Sequence, residues 1–304
     1  MQLEEMKYDL IIVGAGPAGL STAIKLKQLD KINNTNHTVC VIEKGSEVGS
    51  HILSGAILDP IALNELIPDW KNLDTPVSTD VKTEKFLFLT ENRSLNIPYF
   101  LLPQDIKNDG NYIISLGKLC KWLGNYAENL GVDIFPGFTA KDILYDNDKK
   151  VRGIITGEKG LDKNGEKTDL YEPPIALIGK QTIFAEGCRG HLGKKLIKKF
   201  QLYSKDQFQT YAIGLKELWE VDNSSLNKGE VIHSVGWPLN NNAYGGSFIY
   251  KLSEKLVSIG FVVGLDYKNT YLNPYEEFQK FKTHKSIKCT LEGGKRISYG
   301  ARAL

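Results

Sequence analysis

The chain has 304 residues, enough for one large or two ordinary domains, and its 41% hydrophobic and 24% charged residues are typical of a soluble globular protein. A net charge of +2, without a clustered basic segment, argues against a nucleic-acid partner. No run reaches the roughly 18 apolar residues of a membrane-spanning helix, so any membrane contact is expected to be peripheral.

The first predicted element is a strand over Leu10–Val13, a short apolar run typical of a buried parallel strand. Gly14, Gly16 and Gly19 follow in G-x-G-x-x-G spacing, and residues 18–28 continue with helix-forming residues. In this spacing the first glycine permits a tight turn, the second lets a pyrophosphate approach the backbone, and the third lets the helix pack close to the strand. The positive end of the helix would then face phosphates.

A second strand is predicted over Thr38–Ile42, and it ends in Glu43. An acid at this distance from the turn suits the hydroxyl groups of an adenosine ribose and disfavours a 2′-phosphate. A glycine-rich turn in another α/β protein is the alternative, but strand, turn, helix and acid together meet the context that the motif needs. The sequence therefore predicts a dinucleotide site.

The long loop after Glu43, KGSEVGSHILSGAILDP, is rich in glycine and serine. It starts at the carboxyl edge of the predicted sheet, where ligands bind in such folds. His51 and Ser54 are therefore candidates for hydrogen bonds to a cofactor, with turn formation and loop capping as the alternative.

Two apolar segments come next. Residues 60–70 predict a short helix, and residues 86–102 predict a hairpin of two apolar runs around a polar turn. The second arm, IPYFLLP, either packs on the core or forms an exposed patch that touches a membrane or a partner.

A helix over residues 113–130 precedes strands over 132–135 and 151–156. The strand over 180–185 then leads through Gly187 into a helix, LGKKLIKKF. We expect this second turn to return to the first sheet, beside the dinucleotide. Cys188 in the turn has no partner at C-x-x-C spacing, which favours a buried or incidental thiol over a redox role.

From residue 209 onward the pattern becomes β-rich, with strands over 209–217, 247–251 and 256–265. A helix over 274–284 carries aromatic residues at 275, 278 and 281 on one face, which predicts core packing. The domain boundary is therefore placed between residues 208 and 209.

Metal and acid–base sites are not predicted. Cys40, Cys120, Cys188 and Cys289 are scattered, so a zinc or iron–sulfur site in this chain is not expected, and reduced thiols are. Cys40 lies in the second strand and is predicted to be a small core residue. The five histidines and the carboxylates form no dyad or triad by spacing, so no catalytic acid or base is assigned.

Over nearly all of its 304 residues the sequence resembles the amino-terminal part of the electron-transfer flavoprotein–ubiquinone oxidoreductases. The blocks that carry the resemblance are GAGPAGLS, HILSGAILDP, FAEGCRGHL, YAIGLKELW, VGWPLNNNAYGGSFIY, GFVVGLDY and LEGGKRISYGARAL. The glycine motif is shared with many flavoproteins. The later blocks are far more specific, because no general fold rule requires them.

The resemblance implies an electron-transferring-flavoprotein dehydrogenase. Electrons would pass from reduced electron-transfer flavoprotein through FAD and a [4Fe-4S] cluster to ubiquinone in the bilayer. The implied fold is α/β, with a Rossmann-like FAD-binding domain of the glutathione-reductase type at 1–208 and an inserted β-rich ubiquinone-binding domain at 209–304. The implied protein is monotopic, on the inner membrane. The segment 1–7 is short and acidic and is unlike a signal or transit peptide. This favours a location on the cytoplasmic face of a bacterium, which is equivalent to the mitochondrial matrix face.

By position, the resemblance assigns cofactor binding to residues of the two turns and of the loop after the second strand: Gly14, Gly16, Pro17, Ala18, Gly19, Glu43, Lys44, His51, Ser54, Gly55 and Gly187. Tyr244, Gly245 and Gly246 match the block that lines the ubiquinone pocket. Bare backbone there can approach a flat headgroup, with a Gly-Gly hairpin turn as the alternative. Residues 57–70 and 86–102 are the candidate membrane face.

The family continues past the GARAL block to another glycine-rich turn and to a domain with four cluster-binding cysteines. We therefore expect a truncated or split piece of the enzyme, without the [4Fe-4S] cluster. One alternative is a flavin-dependent reductase or hydroxylase of lipids or aromatics, of the geranylgeranyl-reductase-like class. Another is a non-catalytic FAD-binding fragment, which would bind flavin without reducing quinone.

Overall fold

The computed structural model describes residues 3–52, 55–203, 209–222 and 224–304. The chain divides into two compact units, each made of two separate segments. Unit 1 comprises residues 1–52 and 117–207, and unit 2 comprises residues 53–116 and 208–304.

Strands and helices are named in chain order. The strands are β1 (Glu5–Val13), β2 (Val39–Glu43), β3 (Ala56–Leu58), β4 (Thr79–Asp80), β5 (Thr83–Leu89), β6 (Ser94–Ile97), β7 (Tyr112–Ile114), β8 (Asp133–Pro136), β9 (Ala140–Tyr145), β10 (Val151–Thr156), β11 (Lys159–Leu161), β12 (Lys167–Glu172), β13 (Ala176–Phe184), β14 (Ala212–Glu220), β15 (Glu230–Gly236), β16 (Gly245–Lys251), β17 (Leu256–Gly264) and β18 (Lys295–Ala303). The α-helices are α1 (Pro17–Asn33), α2 (Ile61–Leu66), α3 (Leu116–Asn129), α4 (His191–Phe200), α5 (Pro274–Thr283) and α6 (Lys285–Lys288).

Unit 1 is built on a six-stranded sheet in the order β8-β2-β1-β13-β10-β9. The first four of these strands run parallel, whereas β10 pairs antiparallel with both β13 and β9. The chain runs outward from β1 to β2 and β8, and then returns to the other side of β1 as β13. The strand order therefore reverses between β1 and β13, which is where ligands bind in open α/β sheets.

The predicted strand–turn–helix at the start of unit 1 is confirmed, with wider bounds. The predicted residues Leu10–Val13 are the buried end of β1, and the more exposed residues before them also pair with β13. β2 confirms the second strand, and Cys40 within it is fully buried, as predicted for a core residue. α1 continues past the predicted end to Asn33, where Asn34 closes it with φ of 53°.

Unit 2 is built on a seven-stranded sheet in the order β18-β14-β17-β16-β15-β5-β6, with a small sheet in the order β3-β7-β4. On one face of the large sheet, Phe261 of β17 packs against Phe278 and Phe281 of α5. These two α5 residues confirm the predicted core face of the helix, whereas Tyr275 is 52% exposed.

The division into units differs from the predicted boundary between residues 208 and 209, because residues 53–116 belong to unit 2. The reason is β5, which forms a parallel ladder with β15, a strand that was not predicted. The edge strand β18 was not predicted either. Parallel pairing of segments that lie far apart in the chain leaves no local pattern in the sequence.

Lys251 of β16 is a buried cation in unit 2. It is 1% exposed, and within the described ranges its ammonium group has no hydrogen-bond partner. Burial lowers the pKa of this lysine below its ordinary value. Since a methionine of similar length avoids the desolvation cost, we expect Lys251→Met to raise the free energy of unfolding by about 1–3 kcal/mol at neutral pH, measured in urea.

The stabilisation by Lys251→Met is expected to decrease as the pH rises. Because the pKa of Lys251 is lower in the folded state, the unfolded state binds more protons between the two pKa values, and wild-type stability rises with pH there. The advantage of methionine should therefore be greatest below the folded-state pKa and shrink as the pH approaches about 10.4. Lys255→Met removes an exposed cation paired with Asp222 and should change stability far less than Lys251→Met does. Equal effects of the two substitutions would contradict the assignment.

No helix within the described ranges is long and apolar enough to cross a membrane.

Candidate functional site

Two turns lie at the carboxyl edge of the unit 1 sheet, after the neighbouring parallel strands β1 and β13. The Gly14 N–H donates to the Ile42 carbonyl oxygen at 2.8 Å, and the Ala185 N–H donates to the Val13 carbonyl oxygen at 2.8 Å. These bonds tie the end of β1 to β2 on one side and to the second turn on the other. The G-x-G-x-x-G turn therefore lies at the reversal of strand order.

Two glycines of this turn are required by the packing of the chain itself. A Cβ on Gly14, where φ is +108°, would lie 2.5 Å from the Ala185 carbonyl oxygen. A Cβ on Gly19 would lie 2.0 Å from the Gly14 carbonyl oxygen and 3.1 Å from a methyl group of Ile12. Gly14 thus lets the two turns meet, and Gly19 lets α1 pack close to β1.

Gly16 differs from the other two, because no protein atom requires a glycine there. It is the N-cap residue of α1, with φ of −82° and ψ of −178°, an extended conformation that any residue adopts. A Cβ at this position would meet nothing within 4 Å. Pro17 and Ala18 are exposed, and the first turn of α1 carries no acidic residue. The turn therefore fits an anionic group, such as a pyrophosphate, at close range.

The Glu43 carboxylate is held beside this turn. It accepts hydrogen bonds from the Ala15 N–H at 3.0 Å and from the Gly45 N–H at 2.7 Å. A carboxylate can accept about four hydrogen bonds, so ribose hydroxyl groups can still donate to it. The next residue, Lys44, is exposed.

The second turn confirms the predicted strand–turn–helix. The N–H groups at the start of its helix, however, are already bonded to a side chain of the protein. The Glu186 carboxylate accepts hydrogen bonds from the Gly193 N–H at 2.7 Å and the Leu192 N–H at 3.3 Å. This acidic side chain caps α4 and disfavours a phosphate there. Gly187, exposed and with φ of +81°, is the part of the turn that is open to a ligand.

The other predicted cofactor residues fall in different places. His51 is exposed in unit 1, whereas Ser54 lies outside the described residues. Gly55 is buried in unit 2, where its carbonyl oxygen accepts a hydrogen bond from the Lys216 ammonium group. With φ of +95° and a Cβ position 2.0 Å from the Ser258 hydroxyl oxygen, Gly55 is required by local packing.

The predicted quinone block lies at the start of β16. Tyr244 is 81% exposed. Gly245 and Gly246 pair with Val263 and Val262 of β17, so the alternative of a hairpin turn is wrong. A Cβ on Gly245 would lie 2.2 Å from the Val262 carbonyl oxygen, so this strand needs bare backbone.

The apolar hairpin is confirmed as β5 paired with β6, and part of its apolar surface is exposed. The exposed fraction is 66% for Leu95, 78% for Phe100 and 63% for Leu101. Leu102, a candidate membrane residue, is 7% exposed and packs in the protein instead. In the stretch 57–70, Leu63, Ile67 and Trp70 are buried, whereas Ile61 is 62% exposed. The exposed patch of the hairpin is therefore Phe88, Leu95, Phe100 and Leu101.

Unit 2 also contains a buried polar cluster that the sequence did not reveal. His233 contacts the Glu84 carboxylate at 3.2 Å and the Tyr250 hydroxyl at 3.0 Å. These residues lie on three strands, and Glu84 and His233 are 149 positions apart. Spacing along the chain carries no signal for such a cluster, since the parallel pairing of β5 with β15 creates it.

Two family models match the chain. Residues 12–69 match the NAD(P)-binding Rossmann-like domain, and residues 211–304 match the ubiquinone-binding domain described as "ETF-QO, ubiquinone-binding". The first match covers the glycine-rich turn of unit 1 and continues into the first segment of unit 2, and the second covers most of the larger segment of unit 2.

Curated relatives match the chain from end to end. It is 50% identical to the mitochondrial electron transfer flavoprotein-ubiquinone oxidoreductase of Arabidopsis thaliana, over 99% of this chain and 47% of that protein. It is 51% identical to the electron transfer flavoprotein-ubiquinone oxidoreductase of Pseudomonas aeruginosa, over 100% of this chain and 56% of that protein. The mitochondrial protein of Mus musculus is 52% identical over 97% of this chain and 48% of its own length. The chain thus spans about half the length of the curated relatives that it matches.

Solved structures share the fold at low identity. A geranylgeranyl bacteriochlorophyll reductase-like protein from Thermoplasma acidophilum superposes with a TM-score of 0.71 at 16% identity, over 99% of this chain and 66% of that chain. A flavin-dependent brominase superposes with a TM-score of 0.65 at 15% identity, over 98% of this chain and 67% of that chain. These similarities establish an α/β fold of the kind that flavin-dependent enzymes use.

Proposed function

Because the chain belongs in sequence to the electron transfer flavoprotein-ubiquinone oxidoreductases and spans about half of their length, we propose that it supplies the flavin and ubiquinone sites of such an enzyme. Its substrate would be reduced electron-transfer flavoprotein, and its electron acceptor would be ubiquinone. The observation that carries the proposal is the identity of about half of all residues along the whole chain. Only a shared fold at 16% identity supports the alternative of a geranylgeranyl-reductase-like enzyme.

FAD is the cofactor of the proposed function, and unit 1 would hold its adenosine diphosphate part. Gly16 would let the pyrophosphate approach the start of α1, and Glu43 would accept hydrogen bonds from the ribose hydroxyl groups. Gly14, Gly19 and Gly187 would shape the two turns around it. When bound, the flavin supplies two-electron and one-electron redox chemistry, and the chain supplies binding and orientation.

The [4Fe-4S] cluster of the resemblance does not fit this chain. Cys40 and Cys120 are buried, and Cys188 and Cys289 are exposed. Across the ranges that the structure describes, no group of three or more His, Cys, Asp or Glu side chains could hold a metal ion. We assign no step to a cluster in this chain.

Ubiquinone is proposed to bind at the start of β16, beside Tyr244. A substitution of Gly245 is a poor test, because any Cβ there collides with the backbone of β17. Tyr244 is 81% exposed and can be changed without such a collision. We expect Tyr244→Ala to raise the KM for a soluble ubiquinone analogue about tenfold, the equivalent of about 1.4 kcal/mol of lost aromatic contact. Flavin reduction by the electron-transfer flavoprotein should stay unchanged.

The control for Tyr244→Ala is Tyr271→Ala, which removes a tyrosine that is 94% exposed elsewhere in unit 2. It should leave the KM for the quinone unchanged. If both variants behave like the wild type, the assignment of Tyr244 to the quinone site fails. If the wild-type protein, reduced at its flavin, transfers no electrons to the quinone at all, the proposed function fails.

Peripheral membrane contact is proposed through the exposed patch of the hairpin, and with it a place on the inner membrane, at the cytoplasmic face of a bacterium or the equivalent matrix face. Burial of a Phe and a Leu side chain in lipid contributes about 1.5–3 kcal/mol each. We therefore expect the double variant Phe100→Glu, Leu101→Glu to lower co-sedimentation with liposomes at least tenfold, by the arithmetic of about 1.4 kcal/mol per decade.

The control for the membrane prediction is Leu170→Glu, which places the same charge at a leucine that is 78% exposed in unit 1. It should not change co-sedimentation. Undiminished liposome binding by the double variant would move the membrane contact away from the hairpin.

A further inference from the structure

Unit 1 carries a concentration of positive charge on helix α4. The helix reads HLGKKLIKKF, and its four lysines are all exposed: Lys194, Lys195, Lys198 and Lys199. Because Leu196 and Ile197 interrupt them, these lysines form no continuous basic run in the sequence. At about 100° per residue, however, the helix gathers all four within about 140° of its circumference. The four lysines are therefore called the basic face of α4, a feature that the sequence did not predict.

The opposite side of α4 holds the helix on unit 1. Leu192 is fully buried, and Leu196 packs against the same core cluster of unit 1. The Glu186 carboxylate, which caps the start of the helix, also lies 3.3 Å from the ring of His191. The apolar side of α4 is therefore used by the fold of unit 1 itself, and only the basic face is available to a partner.

The protein neutralises little of the charge on the basic face of α4. Lys195 pairs with Asp142 of β9 at 2.8 Å, and both side chains are about half exposed. Within the described ranges, neither Lys194 nor Lys198 forms an ion pair. The whole chain has 38 Lys and Arg against 36 Asp and Glu, so the four lysines of this one helix exceed the net charge of the protein. The positive charge is thus local to α4.

The stability of the helix does not explain all four lysines. Cations in the last turn are favoured by the helix dipole, which accounts for Lys198 and Lys199. Lys194 and Lys195 lie in the first half of the helix, where the dipole gives them no such benefit. Each of them is also four residues from another lysine, and like charges at this spacing destabilise a helix. The arrangement therefore suits a negatively charged partner better than it suits the isolated fold.

Apolar and aromatic side chains are exposed where α4 ends. They are Phe200, Leu202 and Tyr203, which are 43%, 62% and 51% exposed. A bilayer that contains anionic lipids matches both features, because it offers phosphate groups at its surface and an apolar region beneath them. The cations are all lysines, which lack the planar fork that arginine uses to fix a carboxylate and are depleted at protein–protein interfaces. Both observations favour a bilayer over an acidic protein as the partner.

We propose that the basic face of α4 binds the anionic surface of a lipid bilayer, with the ammonium groups of Lys194 and Lys198 on lipid phosphates. This contact is made by unit 1 and depends on the charge of the lipid, whereas the contact proposed for the hairpin is made by unit 2 and is apolar. It should weaken in salt, because the Debye length falls from about 10 Å at 0.1 M to about 3 Å at 1 M.

The test measures co-sedimentation of the purified protein with phosphatidylcholine vesicles, with and without phosphatidylglycerol, at low salt. We expect the wild type to bind the anionic vesicles more tightly than the neutral ones. The double variant Lys194→Gln, Lys198→Gln should lower the affinity for the anionic vesicles about 30-fold, the equivalent of about 2 kcal/mol for two lysines near the surface. Its affinity for the neutral vesicles should stay unchanged. The variant Lys194→Arg, Lys198→Arg keeps both charges and should bind like the wild type.

The matched control is Lys25→Gln, Lys31→Gln, which removes two exposed lysines from α1 of the same unit and should bind both kinds of vesicle like the wild type. Thermal unfolding without vesicles should show no loss of stability in the α4 glutamine variant, because two like-charge pairs are removed.

Two outcomes overturn the proposal for α4: undiminished affinity of its glutamine variant for the anionic vesicles, or an equal loss in the α1 control. A wild type that does not distinguish the two kinds of vesicle also overturns it and assigns the basic face to an acidic protein instead. The apolar contact of the hairpin is read separately, from the neutral vesicles, so its failure leaves the result for α4 unaffected.

Discussion

Replacing Gly16 by aspartate is expected to lower the affinity for FAD by at least about 100-fold, without loss of stability. Two unit charges 4 Å apart at an effective dielectric constant of 20 repel each other by about 4 kcal/mol, and solvent at this partly exposed turn weakens that repulsion. The folded chain itself accommodates the change, since a Cβ at Gly16 meets nothing within 4 Å. Aspartate is also a favoured N-cap residue, so the start of α1 should be stabilised by a few tenths of a kcal/mol.

The Gly16→Asp prediction is checked by fluorescence titration of the purified protein with FAD and by thermal unfolding without it. Gly165→Asp is the control for the FAD titration, because it adds the same charge to unit 1 at an open turn where a Cβ also meets nothing within 4 Å. It does not serve the unfolding comparison, because φ of +83° at Gly165 strains any side chain. This control should bind FAD like the wild type. Undiminished affinity in Gly16→Asp would show that no pyrophosphate lies against the start of α1.

Gly19→Ala is expected to lower the stability of the protein, whereas Gly16→Asp is expected to lower only its affinity for FAD. The alanine Cβ would lie 2.0 Å from the Gly14 carbonyl oxygen, and the atom in the way is backbone, which cannot rotate aside. We expect a loss of at least about 2 kcal/mol in the free energy of unfolding, because α1 must move away from β1. FAD affinity would fall as a consequence of that movement.

The comparison for Gly19→Ala is Gly124→Ala, in the interior of α3. There the new Cβ would make ordinary contacts of 3.4–3.6 Å with Val48, and alanine favours the helix by up to about 1 kcal/mol. Urea unfolding of both variants should therefore give shifts of opposite sign. Equal stability of Gly19→Ala and the wild type would contradict the close packing of α1 on β1.

The features that the sequence predicted well are local ones. The strand, turn and helix around Gly14 can be recognised because they are contiguous, and Gly19 answers a steric demand from Gly14 and Ile12, within a few residues. Glu43 could be placed for the same reason, since it ends the next strand. The core positions Phe278 and Phe281 followed from helical periodicity.

The features that the sequence did not predict depend on contacts between distant segments. Residues 53–116 join unit 2 through the parallel pairing of β5 with β15, and this pairing alone brings Glu84 to His233. The sequence also did not indicate which residues of an apolar run are exposed. Leu101 and Leu102 are neighbours of the same type, yet the first is 63% exposed and the second 7%. A segment without strand alternation or helical period gives no basis for that distinction.

The central claim, a dinucleotide site in unit 1 that binds FAD through its adenosine diphosphate part, is tested most directly by competition. FAD bound to the purified protein is displaced with ADP, with adenosine 2′-phosphate 5′-diphosphate, or with FMN. The turn at Gly16 and the carboxylate of Glu43 predict that ADP displaces FAD, that the 2′-phosphate weakens this competition at least tenfold, and that FMN competes poorly. Displacement by FMN as effective as that by ADP, or indifference to the 2′-phosphate, would contradict the account.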